Sequence, residues 1–117
     1  MDSAERERRE AVFAGAKAAV LGCRPVMATD VAVVRMDSDE YVLRFKSGAA
    51  DAALGVFEGQ VLECVDGSRT VGEIIEAIAD DLEMSLAMQA GKAAMAALHV
   101  HYVDGVIEEL RGLRTED

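Results

Sequence analysis

The sequence predicts a small α+β domain in which a β-hairpin comes first and helices follow, behind an amphipathic N-terminal helix. Two β-branched and aromatic runs, residues 31–36 and 41–45, are separated by a short polar segment, which is typical of a hairpin. A Thr-x-x-Glu box at Thr70 and the helical spacing of apolar residues over 85–103 predict the helices after it. With 117 residues, one hydrophobic core and one domain are expected.

Composition limits the partners that this chain is expected to have. Twenty-two acidic and twelve basic residues give a net charge of −10, which repels phosphate backbones and anionic membranes, so neither nucleic acid nor membrane is expected as a partner. No stretch approaches the roughly 18 apolar residues of a membrane span. Cys23 and Cys64 lie far apart without a CxxC pair, so we expect reduced thiols in a cytoplasmic protein rather than a zinc site or a disulfide framework.

Residues 1–24 are predicted to form a helical extension ahead of the domain. Asp2 and Glu5 have the spacing of a capping box, and Gly22 with Pro25 supplies a stop. An apolar stripe recurs at helical spacing and comprises Val12, Phe13, Ala16 and Val20. This stripe has to be buried on the domain's own sheet, on a second copy or on an enzyme partner, and it is the basis for expecting a homodimer through this helix.

The predicted hairpin is followed by a segment that the residues leave open. Apolar Tyr41, Leu43 and Phe45 alternate with Val42 and Arg44, as in a sheet that is covered on one side. Residues 49–54 are either a third strand or the start of a helix. The four alanines among them favour a helix, because alanine is the best helix former and is depleted in strands.

Three helices are predicted after this segment. Phe57, Val61 and Val65 predict a short helix that contains Gly59 and ends at an Asp66-Gly67 turn. The second helix starts at the box of Thr70 and Glu73, and its apolar stripe comprises Ile74, Ile75, Ile78 and Leu82.

The third helix is predicted over residues 85–103, and Gly105 lies where a left-handed C-cap is expected. Residues 106–111 are a short closing strand or a continuation of helix. A polar tail, residues 114–117, follows the domain of residues 25–113.

Residues 54–74, which read LGVFEGQVLECVDGSRTVGEI, resemble the PqqD-like family of recognition elements for ribosomally made, post-translationally modified peptides. Members of this family typically have a Leu, a helix that ends in Asp-Gly, and then Arg-Thr-Val-x-Glu-Ile. The resemblance covers about residues 31–107 and is best over 66–74. This chain departs from the family at residues 55–58, where Gly-Val-Phe-Glu stands in place of Asn-Glu-Thr-Ala.

The resemblance implies a winged helix-turn-helix, in which a three-stranded antiparallel sheet precedes three helices. It favours a third strand over residues 49–54. It also implies a non-catalytic role without a cofactor: the leader of a precursor peptide is captured as an added strand and presented to a maturation enzyme such as a radical SAM protein. The resemblance and the helical spacing together predict peptide-binding residues Ala49, Ala50, Asp51, Ala52, Ala53, Leu54, Lys92, Met95, Ala96 and His99.

Other classes of function are less consistent with the sequence. A metal site or enzyme would use His99 and His101 with Cys64, but residues two apart on a helix point about 200° away from each other. A winged-helix transcriptional regulator would need more positive charge than Lys92 and Arg69 provide. An acyl carrier would need Asp-Ser-Leu at a helix start, and this chain does not contain that sequence. A protein–protein adaptor, which needs no specific catalytic or ligand-binding motif, remains an alternative.

Overall fold

The computed structural model describes residues 2–37, 40–80 and 84–113, apart from the side chains of residues 17 and 84–88. The polar tail and Leu82 therefore lie outside the described residues. The elements are helix α1 (Ser3–Ala16) with a 3-10 turn (Lys17–Gly22), strands β1 (Arg24–Met27), β2 (Val31–Asp37), β3 (Glu40–Phe45) and β4 (Ala52–Leu54), helices α2 (Val56–Glu63), α3 (Val71–Ala79) and α4 (Met84–Val103), and strand β5 (Ile107–Arg111).

Strands β2, β3 and β4 form an antiparallel sheet in that order. The predicted hairpin is confirmed, and β4 pairs with β3 through Tyr41 opposite Leu54 and Leu43 opposite Ala52. Only the last three residues of segment 49–54 are a strand, and the three before it are irregular. The α+β fold with three helices after this sheet is therefore confirmed, and tertiary pairing overrides the helix propensity of the alanines.

A second ladder joins the two ends of the domain, and its first strand, β1, was not predicted from the sequence. β1 pairs antiparallel with β5, with Arg24 opposite Arg111 and Pro25 opposite Leu110. Residues 107–111 are thus the closing strand rather than a continuation of α4. Gly105, at φ 82°, lets the chain leave the helix and turn back, as predicted for a left-handed C-cap.

Helix α3 starts at its predicted signal, whereas α2 ends at Glu63, ahead of Val65 and the Asp66-Gly67 turn. The Thr70 N–H donates to Glu73 Oε1 at 2.9 Å, and the Glu73 N–H donates to Thr70 Oγ1 at 3.1 Å, so the capping box at the start of α3 is confirmed. Asp66 Oδ1 accepts from the N–H groups of Ser68 and Arg69 at 2.9 and 3.0 Å, which fixes the turn between α2 and α3. These bonds lower the pKa of Asp66.

Helix α1 packs against α4 of the same chain, so its apolar stripe is covered from within the molecule. Phe13 and Val20 are buried in the common core, and the Phe13 ring stacks on His99 with centroids 4.5 Å apart. Asp2 Oδ1 accepts from the Glu5 N–H at 2.8 Å, which is one half of the predicted capping box, and the Glu5 carboxylate pairs with Arg8 and Arg9. Of the three burial sites left open by the sequence, the structure shows the domain itself, but on α4 rather than on the sheet.

Candidate functional site

The candidate site starts at β4, an edge strand of the three-stranded sheet. Within the part of the chain that the structure describes, no strand pairs with its outer edge. Ala52 and Leu54 are half-buried against the core, whereas Ala53 between them is exposed. An unpaired strand edge presents a row of backbone donors and acceptors that another chain can pair with.

An apolar groove of about 460 Å³ begins directly after this strand. One wall is the start of α2 with the residue before it, and the other is one face of α4. The residues that line it are Gly55, Val56, Phe57, Glu58, Ala93, Ala96, Ala97 and Val100. Val56 and Val100 are 41% and 52% exposed, so large apolar side chains face solvent here. Gly55, the first residue of the groove, directly follows Leu54 at the end of β4.

The groove owes its depth to the small side chains of α4. Ala93, Ala96, Ala97 and Val100 follow the spacing i, i+3, i+4 and i+7, which places them on one face of a helix. Ala93 and Ala96 are exposed, and Ala97 is half-buried. Because alanine extends only one carbon from the backbone, another chain can approach α4 closely along this face.

One carboxylate faces this apolar surface and is held by a buried histidine. Glu58 Oε2 lies 2.7 Å from Nε2 of His101, whose residue is 6% exposed. The Gly55 N–H donates to Glu58 Oε1 at 3.3 Å. Because a carboxylate only accepts hydrogen bonds, His101 donates from Nε2. Its Nδ1 then has no hydrogen-bond partner among the described residues.

The structure places the predicted site residues in different surroundings. Residues 49–51 are exposed and precede β4, with Asp51 Oδ2 3.0 Å from Arg44 Nη2. Ala96 lines the groove. Lys92, Met95 and His99 lie roughly a third of a turn further round α4. Lys92 is exposed there, Met95 packs on the core, and His99 is covered by Phe13 and lies 2.9 Å from Glu10.

Sequence reasoning missed most of the groove. It used Phe57 in the stripe of a short helix and treated residues 55–58 as a departure from the family pattern. On α4 it chose Lys92, Met95, Ala96 and His99, of which only Ala96 lines the groove. The signal that could have identified the face was the spacing of Ala93, Ala96, Ala97 and Val100, where small and exposed apolar residues share one side of the helix. Val56 and Phe57 lie opposite this face because of how α2 packs on α4, which the sequence alone does not show.

His99 and His101 lie on different sides of α4. His99 contacts α1, whereas His101 contacts Glu58 of α2. Over residues 2–37, 40–80 and 84–113, no three His, Cys, Asp or Glu side chains cluster as metal ligands would. Both cysteines are free thiols, Cys23 buried and Cys64 half-buried. Each helix in these ranges is too short or too polar to cross a bilayer.

Comparisons with known proteins give one informative result. No protein-family model and no curated protein matches this chain. Among solved structures, it is similar to TbiB1 in complex with the TbiA(beta) leader peptide, with a TM-score of 0.59 and 16% identity over 71% of this chain and 94% of that chain. At that identity the likeness shows the fold alone, a winged-helix-like α+β domain. TbiB1, the protein that shares this fold, was solved with a leader peptide bound.

Proposed function

We propose that this chain is a non-catalytic, PqqD-like module that captures the leader of a ribosomally synthesised precursor peptide. The observation that carries the proposal is the continuity of an unpaired strand edge, β4, with an apolar groove at residues 55–58 and one face of α4. The fold shared with TbiB1, a protein solved with a leader peptide, supports the same function.

Strand addition to β4 would supply the main-chain part of the binding. A peptide that pairs with the edge gains backbone hydrogen bonds whatever its sequence. The small side chains of residues 49–53 leave room for it, and Asp51 is already paired with Arg44. Residues 49–54 therefore remain in the proposed site, with Ala52–Leu54 as the pairing strand.

The groove would supply selectivity through apolar side chains of the peptide. Ala96 stays in the proposed site, and Val56, Phe57, Ala93, Ala97 and Val100 join it. Lys92 borders this face of α4 and is kept as a flanking residue. We leave Met95 and His99 out, because the core and Phe13 cover them.

Presentation of the bound leader to a separate maturation enzyme, such as a radical SAM protein, completes the proposed role. A homodimer is not part of it, because α1 buries its apolar stripe on α4 of the same chain. The genomic neighbourhood tests this partner: genes for a short peptide and a maturation enzyme beside the gene for this chain would support it, and a neighbourhood without both would count against it.

A selection from random sequences tests peptide binding without a chosen leader. The full chain would be used to enrich a display library of random 15-residue peptides, and the affinity of an enriched peptide would be measured by fluorescence anisotropy. Because the net charge is −10, we expect apolar anchors with basic or neutral flanks, and binding that weakens as salt rises.

Two matched variants, in each of which phenylalanine replaces an alanine, test where the peptide binds. Ala96→Phe fills the groove, whereas Ala77→Phe adds the same side chain to an exposed alanine of α3. We expect Ala96→Phe to weaken binding at least about tenfold, equivalent to about 1.4 kcal/mol, and Ala77→Phe to leave it unchanged. Equal affinities for both variants, or no enrichment with the wild type, would contradict the proposal.

A further inference from the structure

Glu58 is the charged side chain of the groove. The other seven residues that line it are glycine, alanine, valine or phenylalanine. The carboxylate is about one-third exposed, so it is open to a bound molecule yet partly shielded from bulk water. A charge in such a position interacts more strongly with a partner than a fully solvated charge does.

The carboxylate is also held in place before any ligand arrives. His101, at 2.7 Å, is buried and cannot move away without disturbing α4, and the Gly55 N–H contacts the other oxygen at 3.3 Å. Two carboxylate oxygens offer roughly four acceptor positions. The two contacts therefore leave acceptor capacity for a donor that enters the groove, and little side-chain entropy is lost when it binds.

We infer that Glu58 selects peptides that carry a Lys or Arg beside the apolar residue seated in the groove. The inference rests on the proposed function and names the chemistry of its ligand: an apolar anchor with an adjacent cation. Charge complementarity favours this occupant over a second copy of the chain, whose net charge is also −10. Glu58 is thus a determinant of specificity, whereas the edge of β4 accepts backbones of any sequence.

Selections with three forms of the chain test the inference. Wild type, Glu58→Gln and Glu76→Gln would each enrich the same random peptide library. Glu76 is exposed on α3, so its substitution changes the net charge equally without touching the groove. We expect wild type and Glu76→Gln to enrich Lys or Arg at a fixed distance from an apolar residue. Glu58→Gln should enrich the apolar residue without that preference.

A double-mutant cycle then measures the contact directly. One peptide from the wild-type selection would be compared with its Lys→Met or Arg→Met counterpart on wild type and Glu58→Gln. We expect the cationic peptide to lose about fivefold in affinity on Glu58→Gln, and the Met peptide to bind both forms equally.

The outcomes separate this inference from the proposed function. Apolar peptides enriched without a basic residue, or an equal loss for both peptides, would overturn the role of Glu58 and leave peptide binding intact. If the preference for basic residues persists in Glu58→Gln, it comes from the overall charge of the chain, and the inference is also overturned. Enrichment of no peptide by any form would overturn both.

Discussion

At the scale of single residues, Gly59 shows what local sequence reasoning leaves out. Judged from the sequence, a glycine in the middle of a short helix only lowers the stability of that helix, by roughly 1 kcal/mol relative to alanine. The structure shows that α2 lies so close to β3 that the Tyr41 ring occupies the space where a Cβ would be. Tyr41 is 2% exposed, so its ring has no room to move aside. Gly59 is therefore a packing requirement.

Gly59→Ala should destabilise the fold although alanine is the better helix former. The added methyl overlaps the Tyr41 ring, and overpacking of this kind costs about 1–3 kcal/mol. Gly15→Ala is the matched control, because nothing lies within 4 Å of a Cβ there and α1 should gain slightly. Urea unfolding of both variants measures the difference, and a stabilised Gly59→Ala would show that the close contact is absent.

The two thiols should react at very different rates. Burial raises the pKa of Cys23 to about 11, so little thiolate forms at neutral pH, and the side chain is inaccessible as well. Cys64 is half-buried at the end of α2. Iodoacetamide should therefore label Cys64 first in the native protein and both thiols in urea, as mass spectrometry can resolve. Faster native labelling of Cys23 would contradict its placement in the core.

At the scale of elements, local signals predicted the helices, and long-range pairing decided the strands. The Thr70–Glu73 box and Gly105 act within a few residues, so the start of α3 and the end of α4 follow from the sequence. β4 exists because it pairs with β3, against the propensity of its alanines. β1 and β5 pair across about 85 residues, and nothing local marks four residues that include Pro25 as a strand.

Helix α1 should depend on Arg9 for its attachment to the domain. The guanidinium donates to the main-chain carbonyls of Tyr102, Ile107 and Glu108 at 2.9–3.0 Å and is 11% exposed. Arg9→Met leaves these carbonyls without that donor and should lower the free energy of unfolding by about 2–3 kcal/mol. Amide exchange in α1 should also become faster.

Arg8→Met provides the matched control for this prediction. Arg8 is 58% exposed and pairs with Glu5 on the surface of the same helix, so its loss should lower the free energy of unfolding by at most about 1 kcal/mol, less than the loss of Arg9 does. Equal effects of the two substitutions would show that the contacts of Arg9 with α4 and β5 do not hold α1 in place.

At the scale of the whole molecule, carboxylates that accept hydrogen bonds make stability depend on pH. Arg8 and Arg9 lower the pKa of Glu5 from 4.5 to about 2, and the Thr70 N–H lowers that of Glu73. A group whose folded pKa is depressed stabilises the protein above its unfolded pKa and loses that contribution as pH falls. The urea midpoint should therefore fall between pH 4.5 and 2, and less steeply in Glu5→Gln. A midpoint that rises over this range would contradict the assignment.

The candidate site belongs to the whole molecule rather than to any one element. The segment of residues 49–54 and Ala96 could be chosen from the sequence because the family resemblance and helical spacing pointed to them. Val56 and Phe57 could not, because their position opposite α4 follows from how α2 packs. Likewise, that His99 is covered follows from α1, which the family pattern does not contain.

Nuclear magnetic resonance of the isotope-labelled chain with an enriched peptide tests the central claim most directly. The account predicts interstrand nuclear Overhauser effects between the peptide and residues 52–54, with slower amide exchange at β4 and shifts at Val56 and Val100. β2, the other edge of the same sheet, is the internal control and should be unaffected. Peptide contacts at β2 with none at β4, or a peptide that binds without strand pairing, would contradict it.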